Sequence, residues 1–315
     1  MNITLRQLRV FSAVARHLSF TRAAEELCLT QPAVSMQVKQ LESQLDVPLF
    51  EHLGKKIYLT EMGKEVHHYA RTVLQQLEEL QSVLNSMKGL GKGRLKISVA
   101  STANYFIPSL LATFCKRFPA ITVSLDVTNR ETLLTQLLEN EVDLVVMGQP
   151  PTDVDLGAEA FMENPLVIVA PPEHPLAQEK NIDLKRLEKE VFLVREPGSG
   201  TRIAMERFFA QHDVRVTTGM EVGSNEAIKQ SVQAGLGLGL LSRDTVEMEL
   251  ALGRLIILDV AEFPIMRYWY VVHRQGKRLS VVSQTFKDFL INESPALLGK
   301  GPQKLPKKTS KKSAG

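Results

Sequence analysis

Several short polar groups follow stretches of the sequence that read as buried strands. In the first half of the predicted α/β region these groups are Ser101-Thr102, Thr128-Asn129 and Gly148-Gln149-Pro150. Ligands of open α/β sheets bind at the carboxyl ends of strands, where the following helices point their N–H groups outward. Hydroxyl and amide donors placed there suit an anion such as a carboxylate or a phosphate.

A second set of such residues lies between positions 196 and 225. The segment EPGSGTR (196–202) runs straight into a predicted helix, and Ser224-Asn225 begin another. Taken singly, each Ser or Thr reads more simply as a helix N-cap, but the set drawn from two α/β halves indicates a pocket. Arg202 is interpreted either as a ligand's counter-ion or as a surface charge. The candidate effector-binding residues are Ser101, Thr102, Thr128, Asn129, Gln149, Gly198, Ser199, Thr201, Arg202 and Asn225.

The sequence carries no recognisable motif of catalysis. His, Cys, Asp and Glu residues show no metal-ligand spacing, and PGSGTR lacks the G-x-x-x-x-G-K-[ST] spacing of a phosphate-binding loop. The sequence also contains no G-x-S-x-G elbow. We therefore expect a protein that is not an enzyme, without catalytic residues, metal or cofactor, but with a small-molecule effector.

The elements that must position the pocket residues alternate between strands and helices. LKISVA, ITVSLDV and VDLVVMG read as strands separated by helices, and a second set runs from PLVIVA to LGLGLL. This alternation predicts parallel α/β layers with helices on both faces. An aromatic strand, RYWYVVHR, and a last helix close the pattern, and His273 within that strand is interpreted as structural.

The N-terminal region has a different pattern, which predicts a helix-turn-helix. Ala23 and Ala24 allow a close helix crossing, Ser19 or Thr21 can cap the second helix, and Thr30 with Pro32 in the first turn can begin the third. The apolar stripe predicted for the first helix is Leu5, Leu8, Phe11, Ala15 and Leu18, and that of the third is Val34, Val38, Leu41 and Leu45.

The exposed face of the third helix suits the major groove of DNA, because Gln and Ser can bond base edges and Lys can pair with phosphate. The alternative is a plain three-helix bundle with a solvated face. VPLFEHLGKKIYLTEMG then predicts a two-stranded wing with lysines at its tip. The candidate DNA-binding residues are Arg22, Thr30, Gln31, Pro32, Ser35, Met36, Lys39, His52, Lys55 and Lys56.

A heptad seam follows the wing. Its members are Val66, Ala70, Val73, Leu77, Leu80, Leu84 and Met87. One helix cannot bury such a seam alone, so we predict a dimerisation helix, the alternative being that it packs on the rest of its own chain. A dimer presents two recognition helices to successive major grooves, which predicts a DNA site with dyad symmetry.

The net charge of +3 over 315 residues is dominated by the C-terminus. Residues 300–315 hold six lysines and no acid, and the rest of the chain has a net charge of −3. A tail of this composition is typical of disordered chain. No apolar run is long enough for a bilayer, MNITLRQLRV lacks the apolar core of a secretion signal, and Cys28 and Cys115 suggest no disulfide framework. We expect a cytoplasmic protein that does not bind membranes.

The stretch FTRAAEELCLTQPAVSMQVKQLESQLDVPLFEHLGKKIYLTEMGK strongly resembles the LysR-type transcriptional regulators, and the resemblance continues to about residue 291. It implies a winged helix-turn-helix (1–60), a linker and dimerisation helix (61–90) and a two-lobed effector domain like the periplasmic binding proteins. Lobe 1 would comprise 91–163 and 266–293, and lobe 2 would comprise 164–265, before a disordered basic tail (294–315). Such proteins commonly form dimers of dimers, so a homotetramer is expected, with RNA polymerase as a further partner.

Two residues depart from the family pattern, His52 and Met36, where arginine is frequent. They weaken the transfer of those two DNA contacts but not of the fold. Within the family, stretches such as REPGSGTRIAMERFF and NEVDLVVMGQPP resemble regulators of Rubisco operons. That resemblance implies control of carbon fixation and effectors such as ribulose bisphosphate, phosphoenolpyruvate or NADPH. Two alternatives remain open: a regulator of another pathway, and a solute-binding protein without a DNA role.

Overall fold

The computed structural model describes residues 3–54, 56–87, 93–301, 303 and 305–306, with backbone alone at 78, 79 and 81–87. The chain forms two compact units. The first spans 1–90 together with 139–141, and the second comprises the remainder. Among the described helices, none combines the length and apolarity that crossing a bilayer requires.

The first unit is a helical bundle with a β-hairpin. Its elements are α1 (Leu5–His17), α2 (Phe20–Glu26), α3 (Gln31–Leu45), β1 (Phe50–Leu53), β2 (Lys56–Leu59) and α4 (Glu61–Met87). Strands β1 and β2 pair antiparallel. The third helix follows its prediction, since Val34, Val38 and Leu41 are fully buried. The predicted stripe of α1 was partly wrong: Leu5 and Leu18, at the helix ends, are exposed, and Val10 and Val14 face the core instead.

The helix starts in this unit are fixed by polar side chains. Ser19 accepts a hydrogen bond from the Arg22 amide and so caps α2. Thr30 stands at the N-cap position of α3, but contrary to prediction its hydroxyl makes no capping bond. Thr4, which sequence reasoning missed, forms a reciprocal capping box with Gln7 at the start of α1.

The second unit contains two five-stranded sheets. Lobe 1 has the order β4-β3-β5-β12-β6 and lobe 2 the order β11-β7-β10-β8-β9. The lobe 1 elements are β3 (Gly93–Ala100), α5 (Ile107–Arg117), β4 (Ile121–Thr128), α6 (Arg130–Leu138), β5 (Leu144–Met147), β6 (Leu156–Glu163), β12 (Tyr268–Arg274) and α10 (Val281–Leu297). The lobe 2 elements are β7 (Leu166–Ala170), β8 (Val191–Arg195), α7 (Gly200–Gln211), β9 (Thr217–Val222), α8 (Asn225–Gln233), β10 (Leu238–Ser242), α9 (Glu247–Ala251) and β11 (Ile256–Ile257).

Apolar clusters cover both faces of each sheet, as the alternating pattern predicts. The sheets are mixed, however, and not parallel throughout. Strand β12 runs antiparallel to β5 and β6, and β7 runs antiparallel to β10 and β11. The reason is topological: β6 leaves lobe 1 and β12 returns to it side by side, so the two must point in opposite directions. Strand β6 is absent from the pattern of strands predicted from the sequence.

The two crossovers between the lobes lie near Asn164 and Ile265. They are hydrogen-bonded to each other, with the Asn164 amide donating to the Arg267 carbonyl at 2.7 Å. Leu166 and Ile265 exchange both backbone hydrogen bonds at 3.0 Å. The hinge is therefore a short two-stranded ribbon that places Arg267 at the mouth of the space between the lobes.

The predicted start of the disordered tail, at residue 294, is wrong. Helix α10 continues to Leu297, and Ser294 is completely buried. The Lys300 ammonium lies 2.6 Å from a carboxylate oxygen of Asp244 in lobe 2, whose side chain is only 8% exposed. Residues 307–315, which hold most of the lysines, lie outside the described residues.

Candidate functional site

The helix-turn-helix presents a polar face on α3. Gln31, Pro32, Met36 and Lys39 are exposed and Ser35 is half-buried, while Ala23 and Ala24 of α2 are buried at the crossing. The free Thr30 hydroxyl stands at the start of the same helix. This face therefore presents amide, hydroxyl, thioether and ammonium groups together, as an approach to base edges and phosphates requires.

Glu42 holds the wing to α3. Its Oε1 accepts hydrogen bonds from the amides of Leu49, at 2.8 Å, and Phe50, at 3.3 Å. His52 and Lys56 are exposed on the two strands of the wing, whereas Lys55 at the tip lies outside the described residues. Within the described ranges, no carboxylate forms an ion pair with Arg22, Lys39 or Lys56. Those cations are available to phosphates.

Helix α4 leaves part of its heptad seam uncovered. Ala70 is buried and Val66 packs beside it in the core of the helix-turn-helix. Val73 and Leu80 are 43% and 53% exposed, so the first unit does not cover them. Leu84 and Met87 are described by backbone alone. The dimerisation role of α4 stays a prediction.

A cleft between the two lobes of the second unit brings together six of the ten predicted effector residues. The residues Ser101, Thr102, Thr128, Asn129, Ser199 and Thr201 line a cavity of about 50 Å³. Asn129 also caps α6, because its Oδ1 accepts from the Thr132 amide at 2.9 Å. Ser199 and Thr201 are buried at the N-terminus of α7, where Ser199 makes no capping bond.

The other four predicted residues lie elsewhere. Arg202 is a surface charge held by Glu206 and Glu221, with N–O distances of 2.8 and 2.6 Å. Gln149 is exposed outside the cleft. Gly198 adopts a φ of +81° with no atom near its Cβ position, so it forms the turn before α7 and not a close approach. Asn225 is buried behind the cleft and accepts from Arg195 at 2.6 Å.

Arg195, which was not predicted from the sequence, donates one hydrogen bond from each of its three guanidinium nitrogens. It lines the cleft at the end of β8, is 5% exposed, and forms two hydrogen bonds with Glu196 at 2.7 and 2.8 Å. Together with the bond to Asn225, these contacts fix the plane of its guanidinium. Its charge is neutralised within the protein, so Arg195 serves mainly to shape the wall.

Arg267 differs from Arg195, because no carboxylate among the described residues pairs with it. Its Nη1 donates to the Gly200 carbonyl at 2.9 Å, and a Cβ at Gly148 would lie 2.5 Å from its Nη2. Within the described ranges no carboxylate lies in ion-pair distance of Arg267 or of Arg130, which also lines the cleft. Burial, and next the repulsion from Arg130, lower the pKa of Arg267 to about 10.

The cleft as a whole is cationic and rich in unused polar groups. Three arginines and one glutamate line it, a net charge of +2. Two further lining atoms, Asn164 Oδ1 and Ser242 Oγ, are buried and have no hydrogen-bond partner among the residues that the structure describes. Buried polar atoms are nearly always paired, so this lining is built for a ligand or water. No group of three or more His, Cys, Asp or Glu in the described ranges is arranged to hold a metal ion.

Two family models match the chain. Residues 5–64 match the bacterial regulatory helix-turn-helix of the lysR family, and residues 88–295 match the LysR substrate-binding domain. The chain belongs to the LysR family. It is a LysR-type transcriptional regulator, with a DNA-binding helix-turn-helix followed by a two-lobed effector domain.

Relatives of this LysR-type regulator include proteins with stated roles. The RuBisCO operon transcriptional regulator of Allochromatium vinosum is 56% identical over 93% of this chain and 97% of its own. The HTH-type transcriptional activator CmpR of Synechocystis is 45% identical over 94% of this chain and 97% of its own. The predicted resemblance to regulators of Rubisco operons is thereby confirmed.

Solved structures agree with the fold. The CcmR regulatory domain of Synechocystis PCC6803 in complex with 2-PG is 47% identical, with a TM-score of 0.62, and covers 64% of this chain and 98% of that one. A full-length OxyR variant of Pseudomonas aeruginosa, 23% identical, matches 97% of this chain and 100% of its own with a TM-score of 0.75. The second likeness supports the fold of the whole LysR-type chain.

Sequence reasoning missed the cationic and hinge members of the cleft. Arg195 and Ser242 each end a predicted strand, so the same strand-end rule that found Thr128 would have found them. Arg267 and Asn164 lie on the crossovers, and only the fold brings them beside Gly148 and Gly200.

Proposed function

We propose that this LysR-type regulator controls carbon-fixation genes and responds to a small phosphorylated anion bound in the interlobe cleft. Its relatives at 56% and 49% identity are both RuBisCO operon transcriptional regulators. The 47% identical CcmR regulatory domain was solved with 2-PG, 2-phosphoglycolate. The protein would act in the cytoplasm, where the chromosome lies.

The unpaired Arg267 in a cleft of net charge +2 is the observation that carries this proposal. A phosphate seated against Arg267 would relieve the cost of burying that charge, and it would lie near the buried hydroxyls of Ser199 and Thr201. The N-terminus of α7 adds unpaired N–H groups and a favourable dipole. The small volume favours a compact ligand over a large one.

Isothermal titration of the full-length protein with 2-phosphoglycolate, and with acetate as an unrelated carboxylate, tests which anion the cleft binds. Ser101→Ala with Thr201→Ala should abolish the response and leave DNA binding intact. Ser109→Ala with Thr113→Ala, two hydroxyls of α5 that do not line the cleft, is the matched control. A double cleft variant that responds normally would refute the pocket. Binding of an unrelated carboxylate alone would keep the regulator and discard the carbon-fixation role.

DNA recognition is proposed to use the face of α3 and the wing. Gln31, Ser35 and Met36 would meet base edges, while Lys39 and Lys56 would pair with phosphates. Each phosphate contact contributes about 0.9 to the slope of log affinity against log salt concentration. Because a dimer carries two copies of the residue, Lys39→Ala should reduce the slope for a promoter fragment by about 2. An unchanged slope would remove Lys39 from the interface.

We also propose that the seam on α4 forms a homodimer, that two dimers form a homotetramer on a dyad DNA site, and that RNA polymerase is contacted there. The support for the dimer is the exposure of Val73 and Leu80 on a regular heptad. Val73→Glu with Leu80→Glu should shift sedimentation towards the monomer, whereas Gln76→Glu, which adds a charge off the seam, should not. An unaltered mass in the seam variant would exclude α4 as the dimer interface.

A further inference from the structure

A second cavity adjoins the cleft, and we call it the outer chamber. Its volume is about 420 Å³, against about 50 Å³ for the cleft. It is bounded by the loop after β5, by one face of α7 and by the returning crossover. Arg130, Gly200 and Arg267 line both cavities. The two arginines are therefore a wall shared by a small polar space and a larger one.

The outer chamber is cationic. Arg130, Arg207 and Arg267 contribute three guanidinium groups to its lining, and Asp153 contributes the one carboxylate, a net charge of +2. None of the three arginines forms an ion pair with any residue that the structure describes. Arg130 is fixed by a 2.6 Å hydrogen bond from its Nη1 to the Gln149 carbonyl. Two of the three charges, those of Arg130 and Arg267, are thus held in place by backbone carbonyls, and Arg207 is exposed beside them.

The three guanidinium groups act on one another. Burial is the largest cause of the lowered pKa of Arg267, and repulsion from Arg130 and Arg207 adds to it. Burial also lowers the pKa of Arg130, against an opposing effect of Asp153. Cations that raise each other's free energy in this way gain by accepting a shared anion.

Most of the other residues that line the outer chamber are apolar, although Gln149, Thr152 and Gln211 also belong to its lining. Ile203 and Met266 are 39% and 48% exposed, and Phe208, Pro150 and Pro151 also line the space. A compact anion such as inorganic phosphate would leave these surfaces in water. A ligand with an aromatic or aliphatic body would cover them, at roughly 25 cal/mol per Å² of apolar surface removed from water.

The geometry points to a second ligand site in the outer chamber, which takes an organic anion that carries a phosphate or sulfonate group on an apolar or aromatic body. Its anionic group binds Arg207 together with Arg130 and Arg267, and its body packs on Ile203, Phe208 and Met266. The site is distinct from the cleft, whose proposed ligand is compact and is bound by hydroxyl groups together with Arg267.

The shared wall also makes the two sites interact, an inference that rests on the proposed function of the cleft. An anion in either cavity neutralises part of the charge on Arg130 and Arg267 that the other ligand would use. By linkage each ligand then weakens the binding of the other by the same factor. The protein would respond to the balance between a compact anion and a bulkier one.

Isothermal titration of the full-length protein with 1-naphthyl phosphate, at fixed ionic strength, tests the proposed second site. Inorganic phosphate lacks the apolar body and 1-naphthol lacks the charge, and each should bind at least tenfold more weakly. Arg207→Gln should weaken 1-naphthyl phosphate about tenfold or more, because it removes one charge-assisted hydrogen bond. Arg254→Gln, the same change at an exposed arginine of lobe 2, and Thr201→Ala in the cleft should leave its affinity unchanged.

Three results would overturn the proposal: no binding of 1-naphthyl phosphate, equal affinity in Arg207→Gln, or loss of binding in Thr201→Ala, which would place the probe in the cleft. Titration of 2-phosphoglycolate into the same proteins separates this proposal from the function proposed for the cleft. If 2-phosphoglycolate fails to bind while 1-naphthyl phosphate depends on Arg207, the outer site stands and the cleft ligand is wrong. Full affinity for 2-phosphoglycolate in the presence of saturating 1-naphthyl phosphate would refute the coupling.

Discussion

Arg267→Met should separate the stability of this regulator from its response to an anion. The folded-state pKa of Arg267, about 10, lies below the ordinary 12.5, so the fold binds this proton less tightly than the unfolded chain does. Since the side chain is charged in both states at pH 7, the difference is a cost to folding. It amounts to roughly 3 kcal/mol at 1.36 kcal/mol per pH unit, and to about 1–2 kcal/mol after solvent screening.

Methionine removes that cost, and it also removes the 2.9 Å hydrogen bond to the Gly200 carbonyl, worth about 0.5–1.5 kcal/mol. The two effects nearly offset each other. We therefore expect the melting temperature of the unliganded variant to stay within about 3 °C of the wild type, at about 2–4 °C per kcal/mol. Most buried arginines whose charge is paired would instead be costly to remove.

The liganded protein should behave differently. A ligand at a hundred times its dissociation constant adds about 2.7 kcal/mol to the wild type. Loss of a charge-assisted contact worth about 1.5–3 kcal/mol leaves about 0.3–1.3 kcal/mol at the same concentration. Differential scanning calorimetry with and without 2-phosphoglycolate measures both quantities, with Arg254→Met as the control. A full ligand shift in Arg267→Met, or a fall of more than about 5 °C without ligand, would refute the reasoning.

Three further predictions concern folding. Gly63→Ala should lower the free energy of unfolding of the helix-turn-helix by about 1–3 kcal/mol, as followed by circular dichroism, because its Cβ would lie 2.0 Å from the Leu49 carbonyl oxygen; unchanged melting would show that α4 can shift. Lys300→Met should cost the effector domain about 1–3 kcal/mol in urea, since it leaves the Asp244 carboxylate buried without its ammonium; an equal midpoint would mean that the contact is not maintained. Burial lowers the pKa of His67 to about 4 from 6.5, so the folded state binds fewer protons than the unfolded chain and stability falls as the pH drops from 6.5 to 4. His67→Gln should flatten that dependence in melting curves, and an unaltered slope would assign it to other groups.

Much of the fold could be predicted because its signals are local. The spacing of Val34, Val38 and Leu41 sets the buried face of α3, and it holds in the structure. Such spacing cannot tell that Leu5 and Leu18 stand at the ends of α1, where the bundle no longer covers them. Strand β6 was not predicted, because its direction and its place in the sheet depend on β12, which lies more than a hundred residues later.

In the candidate site too, residues marked by a local pattern could be predicted, and residues placed only by the fold could not. Ser101, Thr128 and Thr201 were found because each follows a strand or opens a helix, which local pattern reveals. Arg267 was missed because nothing near it in sequence marks a site. Its guanidinium acquires a role only when the paired crossovers bring it between Gly148 and Gly200, which stand more than 60 residues earlier in the chain.

That position has a consequence for signalling. A ligand shifts a conformational equilibrium only by its difference in affinity between the two states. Arg267 reaches the cleft from the hinge and lobe 1, whereas Ser199 and Thr201 approach from lobe 2. An anion that bonds both sets gains its full contacts only while the lobes are together, a state that the hydrogen bond between Tyr105 of lobe 1 and Glu226 of lobe 2 also favours. Closure would thus be the state that the proposed cleft anion stabilises, and a variant without Arg267 should lose this bias even where it keeps the fold.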